Sequence, residues 1–169
     1  APGTAVKEAY DTSGIVTNDR GVTVWLKGNR VSRNQIMAIK EESVTEQKNS
    51  LAVCLDNILR HAGITRNTEY DLAQGKTATT ILSENMTGVQ VLDLSGCTLD
   101  AVLYYVNQDI PVLAILEDGE AVLVTGFNEF NVVIMEPSTG KLYKKGMNDA
   151  TTWFAENGNH FITYMSIEN

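Results

Sequence analysis

The chain has 169 residues, a mass of 18.5 kDa and a formal net charge of −8, which is the length of one ordinary domain. That acidic balance repels a phosphate backbone and argues against nucleic-acid binding. Hydrophobic residues make up 43%, enough for one sizeable core, while the longest apolar runs, such as Pro111–Leu116, fall far short of the ~20 residues of a membrane span. Cys54, Cys97, His61 and His160 have no ligand-like spacing, so neither a metal centre nor a cofactor is expected. The Ala-Pro-Gly start, with no initiator Met and no signal peptide, fits a mature form or an excised piece.

In chain order, Gly21–Gly28 alternates and reads as a short strand, and Asn29–Lys40 as a helix. The strongest helix follows. Leu51, Leu55, Ile58, Leu59 and Ala62 form one apolar stripe, with Asn49 or Ser50 as N-cap and Gly63 just past the last turn. Asn67–Gln74 and Thr77–Glu84 read as short helices, Val89–Leu94 as a strand and Cys97–Val106 as a helix. Four strands come next, at Val112–Leu116, Ala121–Phe127, Val132–Met135 and Lys141–Lys144. Asp118-Gly119, Asn128-Glu129 and Ser138-Thr139-Gly140 supply the turns between them. Helix returns at Asn148–Glu156, and Phe161–Ile167 closes as a strand. Helices first and antiparallel strands later predict an α+β fold.

Two segments carry a resemblance. One is the helix from Ser50 to Gly63, preceded by Gln47; the other is Gly119-Glu-Ala-Val-Leu-Val-Thr-Gly-Phe127 followed by the strand into Glu136-Pro-Ser-Thr-Gly140. This order resembles the papain-like cysteine peptidases that process bacteriocin leaders, peptidase family C-thirty-nine. It spans about Gln47 to Tyr164. The resemblance implies a papain-like fold, with residues 46–169 as a peptidase-like domain and residues 1–45 as an N-terminal extension packed on it.

In that family a thiolate stands at the helix N-terminus, a His takes its proton, an Asp or Asn orients the ring and a Gln donates to the oxyanion. Here the nucleophile position falls on Ser50, the His position on Glu120 and the Asp position on Glu136, with Gln47 closer to Ser50 than the family spacing places it. All three central positions depart from the pattern, so a cysteine peptidase with these residues is expected to be inactive. Cys54 lies one turn into the helix and His61 seven residues further on, about 10 Å away, which makes Cys54 a core residue. Cys97 has Asp93 and Asp100 nearby and no cation, so it too reads as core, and a Cys54–Cys97 disulfide stays open. His160, Trp25, Trp153, Tyr104 and Tyr105 read as edge or core residues, and Arg20, Arg30 and Arg33 as a solvated basic group.

Three readings follow for function. The first is an inactive peptidase-like module that binds a peptide or protein partner along a retained cleft. In the second, Ser50, Glu120 and Glu136 form an acid-active hydrolase, because two close carboxylates raise one pKa and a carboxylate is a weak base at neutral pH. The third is a structural spacer in a larger protein. The resemblance implies a secreted or surface-attached bacterial setting.

Overall fold

The computed structural model describes residues 2–12, 14–27 and 49–167. The apolar stripe of Leu51–Leu59 folds as α2 (Ser50–His61), preceded by α1 (Pro2–Thr12), β1 (Ile15–Thr17) and β2 (Thr23–Leu26). Asn49 caps α2, its side chain accepting the N–H groups of Leu51 and Ala52. Gly63, at φ +86°, ends it in the left-handed conformation, with Ile64 N–H on Leu59 O and Gly63 N–H on Arg60 O. Those two bonds satisfy carbonyls that the helix end would otherwise leave open.

Two short helices follow, α3 (Glu69–Ala73) and α4 (Ala78–Asn85), then β3 (Val89–Asp93) and α5 (Leu99–Asn107). Buried Asp56 of α2 accepts both the N–H and the hydroxyl of buried Thr68, at 2.8 and 2.7 Å, and so fixes the entry to α3. The rest is β4 (Val112–Ile115), β5 (Ala121–Phe127), β6 (Asn131–Glu136), β7 (Lys141–Gly146), α6 (Met147–Glu156) and β8 (His160–Ser166). Six strands form one antiparallel sheet in the order β3-β8-β4-β5-β6-β7. Strands β4 to β7 are joined by the short turns foreseen in the sequence, and the last strand inserts between β3 and β4. The architecture is α+β.

Helix α5 packs on β4, β5 and β8 beside α6, while α2 and α4 pack on each other and on β4, β5 and β3. β5 is buried along its whole length because helices and strands surround it. Burial on both faces over the whole length is the signature of a central strand.

The described residues 2–12 and 14–27 are built into this core. Val6, Ala9, Val24 and Trp25 are buried within it. The Trp25 indole donates to Ala101 O and the Tyr105 hydroxyl to Val24 O, both at 2.9 Å. α1 and β1 had no counterpart in the sequence reading, since Pro2-Gly3 hides the helix start and β1 has only three residues. α5 also begins later than predicted. Thr98 is its N-cap, so Cys97 lies in the preceding turn rather than at the helix start. The predicted helix Asn29–Lys40, and with it Gln47, Arg30 and Arg33, lies outside the described residues.

Candidate functional site

Ser50 is the first residue of α2, and its hydroxyl oxygen accepts the Ala121 N–H at 2.9 Å. The sheet explains why. Ala121 pairs with Ile115 on one side, and the Leu123–Met135 register carries the other side past the end of β6 at Glu136. Where β6 has turned away, the side-chain hydroxyl of α2 receives the N–H that a strand carbonyl otherwise takes. The nucleophile position of the sequence reading therefore meets the start of β5, one residue after Glu120.

Glu120 is exposed at the end of the tight turn in which Gly119 holds φ +85°. Its N–H donates to the Asp118 carboxylate at 2.9 Å, and its carbonyl accepts Leu116 N–H at 2.8 Å. Glu136 is half-buried at the end of β6, and its carboxylate accepts Ser138 N–H at 3.0 Å while its carbonyl accepts Gly140 N–H at 2.8 Å. Its charge reaches both sides of the strand pair, since it helps to raise the pKa of Cys54 in α2 and of Tyr143 in β7, in each case after burial. The α2 start, the β5 start and the β6 end thus converge, bringing Ser50 and Glu136 to the place where Glu120 enters β5. Gln47 lies outside the described residues.

Neither imidazole is placed to take a proton from Ser50. His61 stands eleven residues along α2, about 16 Å by helical rise. Its Nε2 donates to Asp109 O at 2.7 Å, with the Asp109 carboxylate at 3.9 Å. His160 lies in the same cross-strand row as Ala121, through Ile115, two strands and about 10 Å away. Direct proton transfer needs hydrogen-bond contact.

The thiols are poor nucleophiles. Cys54 is fully buried in α2, and burial followed by the charge of Glu136 pushes its pKa well above the ordinary thiol range. Cys97 is buried, and its thiol donates to Gly3 O at 3.3 Å. Burial raises it to about 11, against a lowering by Lys7 of α1. The sequence had suggested no cation near Cys97; Lys7 is distant in sequence and arrives only because α1 docks there. Both cysteines are free.

Of the aromatic candidates, Trp25 lies between the tilted rings of Tyr10 and Tyr104, at 6.3 and 6.2 Å between ring centres, and packs on α5. Phe154 is buried against Phe161, while half-buried Trp153 lies under the Lys145 ammonium at 4.9 Å. Arg20 is exposed. Among the described residues no three His, Cys, Asp or Glu side chains gather as a metal set, and no helix is long and apolar enough to cross a membrane. The Ser50–Ala121 bond and the contact of Tyr143 with the field of Glu136 escaped the sequence reading. Only the strand register reveals them.

The chain is similar in structure to a solved protein of Bacillus anthracis assigned as a C39-like peptidase. The TM-score is 0.64 at 12% sequence identity, covering 80% of this chain and 100% of that one. No protein-family model and no curated protein matches the sequence. At this identity the likeness establishes the fold, an α+β architecture of the papain-like, C39-like peptidase type.

Proposed function

We propose that this chain is a catalytically inactive peptidase-like module that holds an extended segment of a peptide or protein partner where α2 meets β5. The supporting observation is the Ser50 hydroxyl. It stands at the nucleophile position with its oxygen accepting the Ala121 N–H, and the two described imidazoles lie elsewhere. The residue types agree with this, since Glu120 and Glu136 occupy the His and Asp positions of the family pattern. A carboxylate is too weak a base at neutral pH to activate a serine efficiently. Placement in an exported bacterial protein belongs to the same proposal and rests on the resemblance alone.

The test is hydrolysis of a mixed peptide library by the wild type and by Ser50→Ala, from about pH 3.5 to about pH 8. The expected result is no cleavage by either protein at any pH at which circular dichroism shows it folded. Cleavage by the wild type that is lost in Ser50→Ala overturns the proposal. If it rises toward acid pH, it establishes a Ser/Glu/Glu hydrolase in its place.

A further inference from the structure

The strand pair β6–β7, which runs from Glu136 at the candidate site, carries an unusual charge pattern along its β7 edge. In a chain of net charge −8, Lys141–Lys145 holds three lysines and no acid. The β6–β7 register pairs Glu136 with Lys141, Ile134 with Tyr143 and Val132 with Lys145. Because side chains alternate along a strand, Lys141, Tyr143 and Lys145 share one face with Glu136. Trp153 of α6 lies on that face under the Lys145 ammonium, 4.9 Å from it. Tyr143 is 37% exposed, and Phe130, 71% exposed, lies in the β5–β6 turn beside the β6 start that pairs with the end of β7. Phe130 is held there by Met147 N–H on its carbonyl at 2.7 Å and by the Asn128 side chain on its N–H at 2.9 Å.

The result is a basic and aromatic strip that starts at the half-buried carboxylate of the candidate site and runs the length of β7. We infer that this strip recognises an acidic, aromatic or aliphatic extended peptide, whose carboxylates meet Lys141 and Lys145 while its apolar side chains lie on Tyr143, Trp153 and Phe130. Charge complementarity selects this occupant, because the acidic remainder of the molecule disfavours a long polyanion but not a short acidic segment. Aromatic side chains that are already partly packed, as Trp153 and Tyr143 are, supply contact area at little entropic cost, and Phe130 adds an exposed ring. The inference rests on the peptide-binding reading and names the chemistry of the peptide.

The experiment measures fluorescence anisotropy of two labelled synthetic peptides of about ten residues. One alternates Asp or Glu with Leu and Tyr; the other replaces each acid by Lys. The acidic peptide is expected to bind, more weakly as salt rises, and the basic peptide not to bind. Lys141→Glu with Lys145→Glu is expected to lower affinity at least about tenfold, and Phe130→Ser by a smaller factor. If charge reversal beside Glu136 unfolds the protein, Lys141→Gln with Lys145→Gln replaces it. Binding that is equal for the two peptides, or indifferent to the lysine variants, overturns the strip. The lysines are then the charged guard that keeps β7 from pairing with other chains. Binding that ignores the strip yet disappears in Ser50→Trp overturns the strip alone, whereas no binding by any peptide of a mixed library overturns the peptide-binding reading with it.

Discussion

Cys54 and Cys97 show how burial decides chemistry at single residues. Cys97 keeps its proton to about pH 11 in the folded chain, against an ordinary value of 9.0, and Cys54 is raised as well. Below about pH 8 both thiols are protonated in the folded and unfolded states, so they add no pH dependence. Between about pH 9 and about pH 11 the unfolded chain has lost the Cys97 proton and the folded chain keeps it, and the raised Cys54 acts in the same direction. Stability therefore falls as pH rises through that window. Urea denaturation at stepped pH should show this fall, with a shallower slope for Cys97→Ala. A wild-type stability that is flat or rising to about pH 11 would contradict the burial argument. The residue types at positions 50, 120 and 136 were plain in the sequence. What was not plain is that Ser50 is engaged by a backbone N–H, because that depends on where β6 stops relative to β5.

At the scale of elements, α1 depends on a close approach. A Cβ on Gly3 would lie 3.0 Å from Ser95 O and 3.2 Å from Asp93 O, both backbone atoms that cannot swing aside. Gly3→Ala should therefore lift α1 from the β3–α5 turn and cost about 1–3 kcal/mol in chemical denaturation. It should also loosen the Cys97 thiol, detected as faster labelling by a thiol reagent; an unchanged midpoint and labelling rate would refute the contact. This helix was invisible in the sequence because its docking surface, the Asp93–Gly96 turn, is some ninety residues away. α2, by contrast, was legible from the start. Its stripe, its Asn49 cap and Gly63 at the C-terminus all agree locally, as do the turns at Gly119 and Gly140 that time the hairpins. α5 starts about two residues later than the predicted Cys97 because Thr98 makes the cap, its hydroxyl accepting the Ala101 N–H.

Over the whole molecule, the N-terminal segment, the two helix layers and the six-stranded sheet make one core, in which residues as far apart as Trp25 and Ala101 complete each other's hydrogen bonds. The candidate site at the α2–β5 junction is carried by a central strand of that sheet, while the lysine-bearing β7 forms one of its two edges. A peptide held there without being cut leaves a signature no other account shares. The most direct test follows backbone amide shifts while a mixed peptide library is added at neutral pH, with mass spectrometry of the peptides at the end. Shifts centred on Ser50, Glu120, Ala121 and Glu136 are expected, with every peptide recovered intact. Shifts confined to other surfaces, or peptides recovered as fragments, would contradict the proposal.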